Sequence, residues 1–536
     1  MNQDYANQTK LLIDNLKGIC ARYGLGNDGN EFKIITQSFL YKYLNDKFGH
    51  EAKRLDPKLA ASENWEKDIA GYSENDYNLL LARMSPGSAR LRPEHFISYL
   101  FNHQTMADFA SLFDDTLRDI ATRNNAVFSA HDDSGASILL FDTELSKYIS
   151  SSSERSSFCR AIINQLSNVS FEHIFSEGFD FFSTIFEYMI KDYNKDSGQY
   201  AEYYTPHAVA KIMAQVLVDD GVSNVTCYDP SAGSGTLLMN LAHAIGPDKC
   251  SIYSQDISQK SSGLLRLNLI LNDLAHSINH VIQGDTILKP AHINDKFDYI
   301  VSNPPFKLDF SDYQPELSAS KNTERFFAGI PKIPKAKKDS MAIYLLFIQH
   351  IMYSLSENGK AAVVVPTGFL TAQNGIELKI REKLVNEHML RGVISMPSNI
   401  FATTNTNVSI LFIDKANTKG DIMLVDASNL GSTTKEGKNK KTVLSTAEEN
   451  TIIEVFKQHS AIDDFSAVVS YEKIASKNFS LSAGQYFEIK ILHTVITPEA
   501  FTQKMDGYIT ELSEYFDRSA QLETELRQRL KEIRYD

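Results

Sequence analysis

The residues most suited to chemistry in this 536-residue chain are Asn303-Pro304-Pro305-Phe306, directly after the β-branched run FDYIVS. At a proline usage of roughly 5%, a Pro-Pro pair arises about once per 400 residues by chance, and the flanking Asn and Phe make the quartet far rarer. Its position at the end of a predicted strand is a separate constraint. We therefore predict a chemical role for the quartet rather than a rigid turn alone.

The residue types of the quartet suit methylation of an exocyclic aromatic amine such as adenine N6, whose lone pair is delocalised into the ring. The Asn303 side-chain oxygen and the Pro304 carbonyl can accept hydrogen bonds from the two N–H groups. Pro304 and Pro305 fix the backbone that directs this carbonyl. Phe306 offers a flat face for a base flipped out of a duplex. The scheme requires no metal, and no His/Cys cluster suggests one.

A second motif, DPSAGSG from Asp229 to Gly235, lies between the strand-like VTCY and the helix-like TLLMNLAHAI. Its glycines let the backbone approach a ligand at the carboxyl end of a strand. The G-x-G-x-x-G dinucleotide fingerprint is absent, and Asp229 would repel a phosphate at this turn. We therefore predict a cationic ligand, a sulfonium cofactor with an amino-acid tail, held by Asp229, Pro230, Ser231, Gly233, Ser234 and Gly235.

Acidic residues end the next two predicted strands as well. Asp256, followed by Ile257, ends SIYSQDI, where a carboxylate can accept hydrogen bonds from both ribose hydroxyls. Asp285 ends HVIQGD, within reach of an adenine amine. One such acid is usually a turn residue, but acids at three consecutive strand ends favour a cofactor site.

The elements that must position these motifs change along the chain. Apolar residues at helical spacing predict a helical domain over 1–150, and the serine-rich stretch 150–157 has the composition of a loop. Short β-branched runs alternating with helical segments predict a Rossmann-like, doubly wound α/β domain over 151–487. The runs AAVVVP, RGVISMP and VSILFIDK extend its sheet.

The segment 488–536 has a different pattern, which predicts a helical arm. Two interpretations stay open, an amphipathic helix packed on its own domain or a coiled-coil arm that grips a partner. The apolar positions at an approximate 3-4 spacing, interrupted at Ser519 and Glu523, are Met505, Ile509, Leu512, Phe516, Leu526, Leu530 and Ile533.

Composition limits the function classes. A net charge of −13 argues against a surface devoted to nucleic acid, so a DNA role needs local basic patches or a partner. The candidate phosphate contacts follow the quartet closely and are Lys307, Lys332, Lys335, Lys337 and Lys338. The four scattered cysteines suggest no disulfide framework, and no apolar segment predicts a signal peptide or membrane span, which fits a cytoplasmic protein.

Together, Asp-Pro-x-x-Gly-x-Gly followed by Asn-Pro-Pro-Phe resembles the N6-adenine DNA methyltransferases, and among them the modification subunits of type I restriction-modification systems. Further similarity lies in KIITQSFLYKYLNDKF, GVISMPSNIF and FSLSAGQYF, so it covers most of the chain. The resemblance implies S-adenosylmethionine as the cofactor. It adds Tyr204, Thr205 and Pro206 as cofactor contacts, although Tyr200 and Tyr203 are alternatives to Tyr204.

The resemblance also implies partners. Type I modification subunits act on double-stranded DNA, as two modification subunits with one specificity subunit that reads the sequence. Because the specificity subunit would recognise the DNA sequence, the modification subunit could carry a negative net charge. The C-terminal helix would be the arm that docks on the specificity subunit. Whether a restriction subunit also binds stays open. One departure is Asp256, since family members usually carry Glu there; a side chain one methylene shorter should still reach a ribose.

Three other functions remain as alternatives. Asn-Pro-Pro-aromatic quartets also serve methylation of protein glutamine side chains, but such enzymes are much shorter. A catalytically idle assembly or DNA-binding scaffold would not need the intact Asp229, Asp256, Asn303 and Phe306. A self-sufficient methyltransferase would need its own recognition segment, and the roughly 50 residues after Tyr486 are few for that purpose.

Overall fold

The structure is a computed structural model, which divides the chain into two compact units, Met1–Phe487 and Glu488–Asp536. Tyr200, Tyr203, Tyr204 and Ile533 lie outside the residues that it describes. The described residues are 3–26, 29–141, 144–172, 175, 185, 188–189, 205–401, 406–417, 420–436, 439–487 and 497–532.

The first third of the chain is mainly helical. Apolar side chains at helical spacing bury one face of each long helix, and Asp56, Asn64, Ser73 and Asp108 cap four of the helices with side-chain oxygens. The helices are α1 (Gln3–Arg22), α2 (Glu31–Leu55), α3 (Pro57–Ala60), α4 (Trp65–Ala70), α5 (Glu74–Arg83), α6 (Ile97–Asn102), α7 (Phe109–Arg123), α8 (Asn125–Phe128) and α9 (Ser152–Ser167).

The serine-rich stretch 150–157 was predicted to be a loop, and this is wrong for most of its length, because α9 begins at Ser152. The helix continues through Phe158, Cys159 and Ile162, which are buried on one face and pack with the preceding helices. Burial of this apolar face outweighs the weak helix propensity of serine.

The rest of the first unit alternates strands with helices. Its helices are α10 (His207–Leu217), α11 (Thr236–Ile245), α12 (Gln259–Leu271), α13 (Gln314–Leu317), α14 (Tyr344–Ser354), α15 (Gly375–Asn386), α16 (Thr446–Gln458) and α17 (Tyr471–Ser476). In chain order, the strands of this unit are β1 (Ala130–Asp132), β2 (Ser137–Ile138), β3 (Val225–Asp229), β4 (Cys250–Asp256), β5 (Val281–Gln283), β6 (Phe297–Ser302), β7 (Leu355–Pro366), β8 (Leu390–Ser395), β9 (Val408–Asp414), β10 (Ile422–Asp426), β11 (Ser432–Glu436), β12 (Asn439–Val443) and β13 (Ser466–Val469).

Eleven of the described strands form one sheet in the order β13-β10-β8-β9-β7-β6-β3-β4-β5-β1-β2. The central strands β7, β6, β3, β4 and β5 are parallel to one another, whereas β9 runs antiparallel to both β7 and β8. The strand order reverses between β3 and β6, so their carboxyl ends border the crevice in which open α/β sheets bind ligands. Asp229 and Asn303 lie at these two strand ends.

Alternate residues of the central strands enter two different apolar cores. Tyr228 and Ile300 pack into the core that contains α14 and α15, whereas Cys227, Tyr299 and Val301 pack into the core shared by α10, α11 and α12. Helices therefore cover both faces of the sheet. The predicted doubly wound α/β fold with a preceding helical region is confirmed.

The first 150 residues also contribute strands β1 and β2, which extend the sheet beyond β5. Hydrogen bonds connect this region to α12: the Arg266 guanidinium donates to the carbonyl of Ile138 at 2.6 Å. The domain boundary that the sequence predicts at residue 150 stays a prediction. Helix α9, which begins after residue 150, packs with helices that precede it.

The second unit contains one long helix, α18 (Pro498–Glu532). Its apolar side chains are each between 41% and 70% exposed; they include Phe501, Met505, Ile509, Leu512, Phe516, Leu526 and Leu530. None of the described helices in either unit is long and apolar enough to cross a membrane.

Candidate active site

The last residue of β3, Asp229, is a buried carboxylate with 1% exposure. Its Oδ1 accepts a hydrogen bond from the Ser231 main-chain N–H at 2.9 Å. Burial raises the pKa of Asp229 to about 7; the nearby charge of Asp256 adds to this rise and the Ser231 hydrogen bond opposes it. A cation beside Asp229 would restore the favourable interactions that burial removes, so the site favours a positively charged ligand group.

The glycine loop that follows Asp229 holds a conformation that other residues rarely adopt. Gly235 has φ +84°, and a Cβ at this position would collide with the side chain of Leu265 on α12. Gly235 is the N-cap of α11, which begins at the next residue. Because a glycine has no Cβ, the loop can pack closely against α12 at this point. The main-chain N–H of Gly233 donates to Asp256 Oδ2 at 2.9 Å, which joins the ends of β3 and β4.

Asp256 ends β4 as predicted, with its second oxygen accepting from the Ser258 N–H at 2.8 Å. Burial raises the pKa of this carboxyl group, whereas the bonds from Ser258 and Gly233 oppose the rise. Each oxygen keeps a further lone pair, which a ribose hydroxyl can use. Ile257 is 67% exposed and presents an apolar surface beside this carboxylate.

Asp285 follows β5 and partly shapes its own turn. Its Oδ1 accepts hydrogen bonds from the main-chain N–H groups of Ile287 at 2.9 Å and Leu288 at 3.0 Å. Its Oδ2 has no hydrogen-bond donor among the residues that the structure describes. The carboxylate therefore combines a structural role with an acceptor for an amine.

Asn303 follows β6, and its side chain is oriented by a residue 98 positions earlier. Asn303 Nδ2 donates to Thr205 Oγ1 at 3.1 Å, and Thr205 is buried. With the amide nitrogen engaged, the amide oxygen remains as an acceptor for a substrate N–H. The carbonyl of Pro304 likewise receives no hydrogen bond within the described ranges.

The catalytic and cofactor motifs meet at one small cavity, with a volume of about 10 Å³. Ser231 Oγ lies 2.7 Å from Ser302 Oγ, a hydrogen bond that joins the glycine loop to the strand before the quartet. The structure thus brings together sequence motifs some 70 residues apart. The residues lining the cavity are Thr205, Asp229, Ser231, Ala232, Ser234, Thr236, Leu237 and Asn303.

Phe306 stands beside this cavity in an aromatic environment. Its ring makes an edge contact with Tyr344, with a centroid distance of 6.1 Å and an interplanar angle of 73°, and it is only half-buried. Pro304 is buried and Pro305 half-buried, so packing and the two rings together hold this turn. Phe306 therefore keeps part of its surface available for stacking.

The five predicted DNA-contacting lysines are all exposed. The Leu308 N–H donates to the carbonyl of Met341 at 3.1 Å, which joins the segment that contains Lys307 to a residue three positions after Lys338. Phe310 and Met341 also share a small apolar core. Both basic segments therefore border the same part of the molecule, next to the quartet.

The remaining cofactor predictions divide between described and undescribed residues. Thr205 lines the cavity, and Pro206 is the N-cap of α10. Tyr204 lies outside the described residues. Pro230 accepts a hydrogen bond from Thr286 Oγ1 at 2.6 Å through its carbonyl, so it anchors the loop to the turn after Asp285.

A buried polar network behind the site was missed by the sequence analysis. The Arg325 guanidinium donates to the carbonyls of Thr286 (2.7 Å) and Ile287 (2.8 Å) and to His350 Nδ1 (3.0 Å). Burial, reinforced by the charge of Arg325, lowers the pKa of His350 well below its ordinary value, so the ring is neutral. The signal in the sequence was the polar pair Gln349-His350 within the apolar run of α14.

Comparison with known proteins gives a family match. The family model described as N-6 DNA Methylase matches residues 177–493. The methylase subunit of the type I restriction enzyme MpnII from Mycoplasma pneumoniae is 27% identical over 395 residues, covering 70% of this chain and 68% of that protein. The HindI methylase subunit from Haemophilus influenzae is 24% identical over 367 residues, covering 67% and 79%.

Solved structures share the fold. A type I restriction-modification methyltransferase subunit from Streptococcus thermophilus superimposes with a TM-score of 0.69 at 22% identity, covering 90% of this chain and 100% of that chain. A modification subunit of a type I restriction enzyme from Vibrio vulnificus gives a TM-score of 0.54 at 17% identity, covering 88% and 93%.

Proposed function

The chain belongs to the N-6 DNA methylase family, and on this premise we propose that it is the modification subunit of a type I restriction-modification complex. The predicted activity is confirmed: the protein is an S-adenosylmethionine-dependent, adenine-specific DNA methyltransferase. The observation that carries the residue-level mechanism is the shared cavity in which Asn303 lies beside the Asp229 loop.

The residues of this cavity, together with those at the ends of β4 and β5, fit S-adenosylmethionine. Asp229 provides a buried carboxylate for the ligand's ammonium group, and Asp256 provides acceptors for the two ribose hydroxyls. Ile257 and Asp285 suit the adenine ring and its amine, respectively. When bound, the cofactor supplies an electrophilic methyl group on a sulfonium.

The amine of the target adenine is activated by two fixed acceptors. Asn303 Oδ1 and the Pro304 carbonyl accept from its two N–H groups, which draws the lone pair back onto nitrogen. Thr205 holds the Asn303 amide in the required orientation before the base arrives. Phe306 stacks on the flipped base, so N6 is positioned for in-line attack. Catalysis depends on orientation. Once N6 forms its bond to the methyl group, the cofactor would leave as a neutral thioether, and the amine would lose its extra proton to water, so no strong base is needed.

Double-stranded DNA and a specificity subunit are the proposed macromolecular partners, with two modification subunits per specificity subunit in a cytoplasmic complex. The exposed lysines that border the quartet supply local phosphate contacts on a protein with a net charge of −13. The apolar stripe of α18 supports the docking interpretation, because exposed apolar surface of this extent marks an interaction site.

The docking role of α18 can be tested by replacing exposed apolar residues of this helix with charged ones. We expect Leu512→Glu with Phe516→Glu to abolish copurification with the specificity subunit, because charges replace apolar contacts at an interface. Glu514→Lys, on the opposite side of the helix, is the matched control and should copurify normally. Normal copurification of the double variant would refute the docking role of α18.

Methylation itself is tested by coexpressing the chain with the specificity subunit and mapping N6-methyladenine in host DNA. We expect methylation at one sequence motif, with Asn303→Ala reducing the signal to background. Asn386→Ala, an exposed asparagine at the end of α15, serves as the control and should leave methylation unchanged. Methylation by the chain alone would instead indicate a self-sufficient enzyme.

A further inference from the structure

Arg325 lies between the quartet and α14, and it is a buried arginine beside the turn that carries Asp285. Its side chain is 3% exposed, and its two terminal nitrogens donate to the carbonyls of Thr286 at 2.7 Å and Ile287 at 2.8 Å. Burial lowers the pKa of Arg325 to about 10, and the charge of Asp285 is among those that oppose this change. A planar guanidinium that binds two successive carbonyls fixes their position as well as their distance.

The turn after β5 depends on Arg325 for these two bonds. Asp285 Oδ1 accepts from the main-chain N–H groups of Ile287 and Leu288, so this carboxylate forms the inner side of the turn. No main-chain N–H group of the described residues donates to the carbonyls of Thr286 or Ile287. Both residues are buried, and a buried carbonyl without a donor lowers stability. Arg325 therefore holds the outer side of the turn.

The other contacts of the turn connect it to the cofactor loop and to an apolar core. Thr286 Oγ1 donates to the carbonyl of Pro230 at 2.6 Å, which joins the turn to the loop after β3. The side chain of Ile287 packs in the same small core as Phe326, the neighbour of Arg325 in the chain. The turn thus lies between the cofactor loop on one side and the Arg325 segment on the other.

The Arg325 segment is itself fastened to α14. Gln349 of α14 is 0% exposed and bonds to the main chain just after Arg325. Its Oε1 accepts from the Ala328 N–H at 2.8 Å, and its Nε2 donates to the carbonyl of Gly329 at 3.0 Å. The main chain that carries the guanidinium is therefore held against a helix of the core.

His350 fixes the guanidinium from the same helix. Its ring is 0% exposed, and its Nδ1 accepts from Arg325 Nε at 3.0 Å. Because Nδ1 accepts, the ring proton lies on Nε2, which is 3.3 Å from the hydroxyl oxygen of Tyr228 in β3. The orientation of Arg325 is thereby set before any ligand binds.

We propose that Arg325 is a positioning residue for the cofactor, because it holds the turn after β5 where Asp285 Oδ2 meets the adenine amine. This inference rests on the proposed function, in which Asp285 accepts a hydrogen bond from that amine. Arg325 acts through the turn and makes no contact with the cofactor. Without the guanidinium the turn moves, and a displacement of about 0.5 Å is enough to weaken a positioned contact. Arg325 therefore contributes to selection of a 6-aminopurine over a 6-oxopurine.

The test compares S-adenosylhomocysteine with S-inosylhomocysteine, in which an oxo group replaces the purine 6-amino group. Isothermal titration calorimetry on the full chain gives the ratio of the two dissociation constants, which reports on the contact with Asp285. We expect the wild type to bind S-adenosylhomocysteine about 10- to 100-fold more tightly, since the carboxylate accepts from an amine and repels an oxo group. In Asp285→Asn the ratio should approach one, because an amide can bond to either group.

Arg325→Met should lower this ratio at least about fivefold, through weaker binding of S-adenosylhomocysteine. Arg325→Lys keeps the charge without the planar fork, so it should lower the ratio as well. Because both changes also affect stability, the matched control is Arg381→Met. Arg381 is 0% exposed on α15 and donates to three carbonyls away from this turn, those of Phe369, Ala372 and Phe479. Its loss should lower stability and leave the ratio unchanged.

A pair of His350 variants separates positioning from general damage. His350→Leu removes the acceptor of Arg325 Nε and should lower the ratio, whereas His350→Asn keeps an acceptor near the place of Nδ1 and should retain most of it. The inference is overturned by a wild-type ratio in Arg325→Met or Arg325→Lys, or by an equal fall in Arg381→Met. A wild-type ratio in Asp285→Asn would instead refute the proposed adenine contact, and the inference with it.

Discussion

Replacing Asp229 with asparagine separates the stability of the protein from its cofactor binding. Burial raises the pKa of Asp229 from 3.8 to about 7, a shift of about 3 units. At about 1.36 kcal/mol per unit, the ionised carboxylate costs the folded protein up to about 4 kcal/mol at pH 8. Asparagine is neutral and its oxygen can still accept the Ser231 N–H, so Asp229→Asn should be more stable than the wild type in the absence of cofactor.

The pH dependence of this difference has a defined sign. Because the folded pKa of Asp229 lies above the unfolded pKa, its stabilising contribution is complete below about pH 4 and is lost as the pH rises through about 7. The advantage of the asparagine variant should therefore be largest at pH 8 and vanish near pH 4. Urea unfolding of both proteins between these pH values measures it. Asp298→Asn, which removes a carboxylate that accepts bonds from Thr226, is the control and should not be stabilised.

Cofactor binding should change in the opposite direction. A charge-assisted contact contributes about 1.5–3 kcal/mol, so Asp229→Asn should weaken S-adenosylmethionine binding about 10- to 100-fold by calorimetry at pH 8. Wild-type affinity should fall as the pH drops below about 7, because Asp229 then takes up a proton. A variant that is less stable at pH 8, or one that binds the cofactor as well as the wild type, would refute this reasoning.

Two further predictions concern buried polar contacts. Thr205→Val should lower kcat about 10-fold with little change in the KM for S-adenosylmethionine, because the Asn303 amide loses its orienting acceptor. Thr205→Ser keeps the hydroxyl and should restore the rate. A raised KM for the cofactor with an unchanged kcat would contradict the orienting role. Arg391 is 1% exposed, and its guanidinium has no hydrogen-bond partner among the described residues. Arg391→Met should therefore raise the free energy of unfolding by about 1–3 kcal/mol in urea titrations, whereas a lower value would reveal a partner.

Most of the site's framework could be predicted from the sequence. The runs before Asp229, Asp256 and Asn303 are the strands β3, β4 and β6, because each run is short, contains β-branched or aromatic residues and is ended by turn residues. Parallel strands place their carboxyl ends at one edge, so motifs distant in sequence were expected to converge. The cavity that contains Asp229 and Asn303 agrees with this expectation.

Contacts made only in the folded protein could not be predicted. The Thr205–Asn303 and Arg325–His350 hydrogen bonds join residues that lie far apart in the sequence. No helix or strand periodicity in the sequence indicates such contacts. The position of β9 between β7 and β8 is likewise a matter of tertiary pairing, since its run VSILFIDK is equally suited to any buried strand. Strand β1, too short to give a pattern, is fixed by pairing with β5.

The central claim is that Asn303 activates adenine N6 for methyl transfer. The most direct measurement uses the complex with its specificity subunit, duplex DNA and methyl-labelled S-adenosylmethionine, followed by digestion to nucleosides and mass spectrometry. We predict label in N6-methyldeoxyadenosine, at a rate that Asn303→Ala lowers about 100- to 1,000-fold and Asn386→Ala leaves unchanged. Label in cytosine or in protein, or an undiminished rate in Asn303→Ala, would contradict the claim.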